Sequence, residues 1–232
     1  MRLFAIADLH LPGGGDKPME VFGPQWDHHF GKISEDWRSR VTDGDAVLIA
    51  GDISWAMQLR NAAEDLRVIG ALPGRKILIK GNHDYWWSSL TRVQELMPEG
   101  MTALQHTAAD LGCCVVCGTR GWMIPTENEP LSPEDEKIYR RETARLEMAL
   151  QAAARIADGR PVVAMLHYPP LLQGCTESTF TELLERYGVS VCVYGHLHGS
   201  GIRAGYTGEC RGVRYHLTSC DSLAFQLKEI EI

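Results

Sequence analysis

Five short clusters bring carboxylate, imidazole and amide oxygen together: Asp8-Leu9-His10, Gly51-Asp52, Gly81-Asn82-His83-Asp84, His167, and Gly195-His196-Leu197-His198. Such donors suit divalent ions such as Mn²⁺, Fe²⁺ or Zn²⁺, and no thiolate is among them. Asp8, His10, Asp52, Asn82, His167, His196 and His198 are seven candidate ligands, too many for one ion and about right for two. Two carboxylates, Asp8 and Asp52, set against two divalent cations leave a positive site that favours a phosphate anion. A pair of metals roughly 3.5–4 Å apart can stabilise both the attacking and the leaving oxygen of an in-line displacement. Taken singly, each cluster is also ordinary turn and capping chemistry, since Asp and Asn start helices and Gly-Asp turns are common.

What separates the clusters from that bland alternative is where they stand. Each follows an apolar segment: Arg2–Ala7, Asp45–Ala50, Arg75–Lys80, Pro161–Leu166 and Val189–Tyr194. These segments are short, rich in β-branched residues and nearly continuous in hydrophobicity, as strands buried on both faces are. In open α/β sheets, ligands bind beyond the carboxyl ends of the strands. Between the strands lie helical stripes. Trp26, His29, Phe30, Ile33 and Trp37 form one, Leu59, Ala62, Ala63, Leu66 and Ile69 a second, and Phe180, Leu183, Leu184 and Tyr187 a third. A long helix starts at Ser132-Pro133, carries Leu146, Ala149, Leu150, Ala153 and Ile156 on one face, and stops near Gly159 and Pro161. The alternation predicts a layered α/β fold. Segments around Cys113–Gly118, Gly212–Ser219 and Ala224–Ile230 are expected to form a second, more antiparallel sheet. Leu11–Pro18 and Pro125–Pro133 read as loops.

Composition sets the outer bounds. A chain of 232 residues suits a single domain over residues 1–232, or at most two small ones. The net charge of −7 does not favour nucleic-acid binding, although a local basic groove is compatible with it. No apolar run is long enough to span a membrane, and the N-terminal run is broken by Asp8 and His10, so no membrane partner and no signal peptide are expected. Seven cysteines, an odd number without framework spacing, point to a reducing cytoplasm. Cys114-x-x-Cys117 would place its thiols on opposite faces of a strand, where they cannot share an ion. His29 falls on an apolar helix stripe, which favours packing over ligation for the His28-His29 pair.

The ordered set, from Asp8-x-His10 to Gly195-His196-x-His198, resembles the calcineurin-like metallophosphoesterase superfamily, in the manner of its predicted bacterial phosphohydrolases. It spans residues 8 to 198 in the family's order with no motif missing, and Gly-Asn-His-Asp is its most specific part. The resemblance implies a four-layer α/β/β/α sandwich of two mixed sheets flanked by helices, with a dinuclear site at one edge. It implies that Asp8, His10 and His198 hold one metal, that Asn82, His167 and His196 hold the other, and that Asp52 bridges them. The cofactors would be two divalent ions, Mn, Fe or Zn. His83 would act as proton donor or charge stabiliser, and Asp84 would orient it. A metal-bridging hydroxide would attack phosphorus in a phosphodiester of a small molecule or nucleotide. A phosphomonoesterase or a nuclease is the enzyme alternative. A non-catalytic scaffold is disfavoured because every ligand is present. Asp84, where protein phosphatases of this superfamily usually carry Glu, disfavours a protein substrate. Arg120 and Tyr85 are candidate substrate contacts, Trp86 and Trp87 are expected core anchors, and the Leu11–Pro18 loop is a weaker candidate for lining the pocket.

Overall fold

Continuous apolar strands need a partner on each face, and the chain supplies two different ones. The computed structural model describes residues 1–15, 17–126 and 129–232; Asp16 in the first expected loop, and Glu127 and Asn128 in the second, lie outside the described residues. In chain order the strands are β1 (Leu3–Ile6), β2 (Ala46–Ile49), β3 (Arg75–Ile79), β4 (Met101–Leu104), β5 (Ala108–Asp110), β6 (Val115–Thr119), β7 (Val162–Leu166), β8 (Val191–Tyr194), β9 (Gly208–Cys210), β10 (Val213–Leu217) and β11 (Lys228–Ile230). The helices are α1 (His29–Arg40), α2 (Leu59–Gly70), α3 (Leu90–Glu95), α4 (Pro133–Ala157) and α5 (Thr179–Arg186).

One sheet runs β11-β1-β2-β3-β4 and the other β5-β6-β7-β8-β10-β9. In the first, Phe4, Ile6, Val47, Ile49 and Leu78 join a core with Ile33 and Trp37 of α1 and Leu66 and Ile69 of α2. In the second, Val115, Cys117, Ala164, Leu166, Cys192 and Tyr194 pack with Leu146 and Leu150 of α4 and Phe180 and Leu184 of α5. The alternate residues, among them Leu3, Ala5, Leu48, Ile77, Val116, Val163, Met165, Val191 and Val193, meet in a third core between the sheets. The period-2 alternation of strand side chains thus feeds two cores at once, which gives the expected α/β/β/α layers.

The expected second sheet needs correction. Its β6 and β10 do not form a separate antiparallel layer. They pair in parallel with β7 and β8, and only the edge strands β5 and β9 are antiparallel. The Ala224–Ile230 segment contributes only β11, which joins the first sheet antiparallel to β1. Ala224 and Phe225 belong to the preceding turn, with φ of 51° and 61°. In α4 the Ser132 hydroxyl accepts from the N–H of Asp135, as an N-cap should. Ile156 is 41% exposed, however, and Ala157 takes its place on the buried face. At the carboxyl end of β1, Ala7 N–H donates to the Thr218 carbonyl (2.7 Å) and Cys220 N–H donates to the Ala7 carbonyl (3.1 Å), which stitches the two sheets together beside the clusters. No described helix is long and apolar enough to cross a membrane.

Candidate metal centre

The seven candidate ligands come from both sheets and converge. Asp8 and His10 follow β1, Asp52 follows β2, Asn82 follows β3, His167 follows β7, and His196 and His198 follow β8. Four of them stand on left-handed backbone: Asp8 (φ 62°), His10 (46°), Asp52 (52°) and His196 (75°). Such conformations are uncommon outside glycine and concentrate at functional sites. Two motif glycines have a direct cause in the approach of a carboxylate to backbone. A Cβ on Gly81 would lie 2.0 Å from Asp52 Oδ1, and one on Gly195 would lie 2.6 Å from Asp8 Oδ2.

Asn82 Oδ1 lies 2.7 Å from His167 Nε2 and 2.9 Å from His196 Nδ1. His167 Nδ1 bonds the Ala50 carbonyl at 3.0 Å, so that nitrogen carries the ring proton and Nε2 turns a lone pair toward the cluster. Asp52 Oδ2 is 3.5 Å from His167 Nε2 and 3.9 Å from His10 Nε2. Asp8 Oδ1 is 3.5 Å from His198 Nε2. Two ligand-competent groupings result, Asp8–His10–His198 and Asp8–Asp52–His167. His10 Nδ1 and His198 Nε2 are buried and have no hydrogen-bond partner among the described residues. Lone pairs and orphaned nitrogens gathered around buried carboxylates form a donor set that fits divalent cations.

The electrostatics agree. Burial, assisted at His196 by the neighbouring His167, pushes His10 and His196 down to about 3, and it lowers His167 as well. All three are therefore neutral imidazoles able to ligate. Burial opposes ionisation of Asp8, but His198, 3.5 Å away, with His167 and His10 behind it, holds its carboxyl below the ordinary range. Burial and the charges of Asp84 and Asp8 drive Asp52 well above that range. Crowded carboxylates of this kind call for a positive counter-charge.

His83 and Asp84 share a turn but not the partnership expected of them. The Asp84 carboxylate accepts from the N–H groups of Ile53 (2.9 Å), Ser54 (3.1 Å) and Gly81 (2.7 Å) and from the Trp86 indole (3.0 Å). It pins the β2 and β3 loops together, and its oxygens are taken by these four donors rather than by the His83 ring. His83 donates its backbone N–H to Asp52 Oδ1 at 2.8 Å, and its ring lies 4.5 Å from that of Trp55 and 5.8 Å from that of His10. Its Nδ1 has no partner among the described residues. Tyr85 is 55% exposed beside His83. Trp86 and Trp87 are core residues, as expected. Arg120 stands off the ligand cluster, with its carbonyl receiving the N–H of His167 (3.0 Å) and its guanidinium 4.5 Å over Trp122. Cys114 and Cys117 lie in different cores, on opposite faces of their segment. His29 Nε2 meets the Leu9 carbonyl at 2.8 Å and is outside the cluster. In the loop after β1, the Gly13 N–H donates to Asp65 of α2 at 2.8 Å.

Sequence reasoning missed Asp221. Its carboxylate accepts from His198 Nδ1 (2.9 Å) and from the Gly199 N–H (3.0 Å), so that His198 Nε2 faces Asp8. Carboxylates commonly fix ligating histidines in this way. Although burial opposes the charge, Asp221 and Asp8 push His198 up to about 10. The signal was weak, because Asp221 lies four residues beyond β10, whose sequence alternates apolar residues with Arg214 and His216. Trp55, stacked on His10 at 4.8 Å and 19°, was also missed.

The fold occurs in solved structures. A protein from Thermus thermophilus, TT1561, is 14% identical with a TM-score of 0.62, covering 99% of this chain and 98% of its own. The phosphopantetheinyl hydrolase PptH from Mycobacterium tuberculosis is 17% identical with a TM-score of 0.59, covering 99% and 95%. AQ665 from Aquifex aeolicus, a protein of unknown function, is 16% identical with a TM-score of 0.54, covering 98% and 95%. At these identities the likeness is one of fold. A search of curated proteins finds no significant match to the sequence. The sequence profile described as calcineurin-like phosphoesterase matches residues 1–200, the span that carries all seven convergent side chains. The chain therefore belongs to the calcineurin-like phosphoesterase family and is a metal-dependent hydrolase of phosphate esters.

Proposed function

We propose that this enzyme is a two-cation phosphohydrolase that cleaves a phosphodiester of a small molecule or nucleotide. Asp8, His10 and His198 would hold one cation, Asn82, His167 and His196 the other, and Asp52 would serve both; Mn, Fe and Zn all suit these donors. Two such cations supply acidified water and positive charge for an in-line displacement at phosphorus. The single observation that carries this reading is the convergence of Asn82 Oδ1, two imidazole lone pairs and two buried carboxylates from both sheets at one point.

The remaining side chains divide the work. Burial lowers the pKa of His83, so it meets the substrate as a neutral imidazole that offers an N–H to a phosphoryl or leaving oxygen. Asp84 keeps that turn in place through backbone. A cavity of about 330 Å³ opens on His10, His83 and His198, with Met19, Phe22, Trp26 and Trp55 as an apolar wall. An ester with a modest organic group fits there, and this supports a small-molecule substrate over a nucleic acid, as does the net charge of −7. Phosphopantetheinyl hydrolase, the name of one structural neighbour, makes a phosphopantetheinyl diester a sensible member of a substrate screen. We read the chain as one domain, because β9, β10 and β11, beyond the matched span, complete both sheets. All seven cysteines are free thiols, which suits a reducing cytoplasm.

With Mn²⁺ added, the purified chain is expected to turn over bis(p-nitrophenyl) phosphate faster than p-nitrophenyl phosphate. Asp52→Asn should reduce that rate roughly 10³-fold, the scale of several kcal/mol of cation-borne charge stabilisation. Wild type no faster than buffer with either ester would remove the hydrolase reading, and a monoester preference would remove the diester one.

A further inference from the structure

A second cavity, of about 220 Å³, lies beside the metal centre without including any of its seven ligands. It sits at the carboxyl ends of β3, β4 and β6 and is walled by α4. Lys80, Arg120, Arg141 and Arg145 line it, and the one carboxylate among its lining residues is that of Glu142. Four cations are thus set against one anion.

Glu142 is fully buried, and its two oxygens are largely spent. One accepts from the Thr119 hydroxyl at 2.9 Å and the other from Arg145 Nη1 at 2.7 Å. Arg120 and Arg141 each form an ion pair with that second oxygen at 3.6 Å, outside hydrogen-bond distance. Arg120 Nε and the Trp87 indole N–H, both on residues lining the cavity, are buried without a partner among the described residues. Buried donors are nearly always satisfied, yet the ion pairs that three arginines make with Glu142 leave these two without an acceptor. Here donors and positive charge exceed acceptors. What is missing is an oxyanion with several acceptor oxygens and more than one negative charge, the description of a phosphate group, which guanidinium forks recognise well.

We infer that this cavity is a second, non-catalytic site for a phosphate-type oxyanion, bound by Lys80, Arg120, Arg141 and Arg145 with the Trp87 indole. The oxyanion has two possible sources: a second phosphate carried by the substrate, and free phosphate. Both place the same chemistry in the cavity. The substrate source would suit the site's position, because Lys80 directly precedes Gly81-Asn82 and the Arg120 carbonyl holds the His167 N–H.

The test is calorimetric titration of the full chain with inorganic phosphate, after chelation and again with Mn²⁺. The chelated protein should bind about one phosphate. Arg141→Glu, at an exposed position on α4, should weaken that binding about tenfold or more, and Lys80→Gln should also weaken it. Mn²⁺ should add a further phosphate site that persists in Arg141→Glu. No binding to chelated wild type, or equal binding in wild type and both variants, overturns the inference. Because this measurement needs no turnover, it stands or falls separately from the hydrolase reading. To assign the source, kcat/KM is compared for a diester bearing a second phosphate and for the same diester without it. A preference in wild type that Arg141→Glu abolishes assigns the site to the substrate. Equal values, with phosphate binding intact, assign it to free phosphate.

Discussion

Asp8, His10, Asp52 and His196 hold their side chains on backbone with φ between 46° and 75°, which costs about 1–2 kcal/mol each outside glycine. Asp and Asn tolerate that region best and histidine is also enriched there, so the residue types that ligate are also the types this backbone permits. Around them, roles separate by what each atom touches. Among the described residues, the His83 ring has an unpartnered Nδ1. We therefore expect His83→Ala to keep both metals by elemental analysis while losing about 10²–10⁴ in rate. Loss of metal from that variant would make His83 a ligand and defeat the assignment. Asp221 instead acts through His198. Asp221→Asn should weaken one of the two cations about 10–100-fold, seen as a two-step Mn²⁺ titration in which only one step moves. A titration identical to wild type would reduce Asp221 to a cap on the Gly199 N–H.

Between residue and fold, the elements must deliver strand ends to a common edge, and polar anchors at the strand starts help set that register. Asp45 is one. It accepts from the N–H of Arg2 (2.7 Å), the N–H of Thr42 (3.0 Å) and the Thr42 hydroxyl (2.8 Å), fastening the entry of β1 to that of β2. Those bonds, Arg2 first, hold its carboxyl well below the usual range. A depressed folded pKa contributes stability that is present above the unfolded value of about 3.9 and is lost as pH falls through the folded one. Asp45→Asn should therefore cost about 1–2 kcal/mol at pH 7, and the gap should narrow as pH drops below about 4. Denaturant melts at both pH values check this, and a gap that does not change with pH would show that the contribution is not ionic. Asp65 plays a similar part nearer the site, where it holds Gly13 and the Ser54 hydroxyl and so joins the loops after β1 and β2.

Across the molecule, the centre draws ligands from both sheets, so bound cations would act as a clamp between layers that otherwise meet through the apolar middle core. Metal binding to the folded chain alone stabilises it by mass action, about 2.7 kcal/mol at a free ion concentration one hundred times Kd. Chelation should lower Tm and Mn²⁺ should restore it in proportion to the logarithm of its concentration. A Tm indifferent to both would mean that the folded chain has no cation affinity, and the clamp would be discarded. The basic cavity fits the same architecture. Its cations come from the end of β3 in one sheet, the end of β6 in the other and the helix α4 outside them.

Chemistry and layering were written locally. Asp, His and Asn at the tips of apolar segments announce a polar edge, and near-continuous hydrophobicity announces strands covered on both faces. Both follow from side-chain type and period alone. Partnership was not written there. All five apolar segments look alike, yet β1, β2 and β3 share one sheet and β7 and β8 the other, because pairing is settled by packing between distant stretches of chain. The edge strands β4, β5 and β9, of three or four residues, carry too little pattern to stand out. Asp84 reads beside His83 in the chain but spends its oxygens on the backbone of two loops. Asp221 reads as a turn residue until β10 brings it to His198. Left-handed backbone and unpartnered buried donors arise only when the folded chain removes the alternatives, so these features of the metal centre and of the basic cavity belong to the tertiary structure.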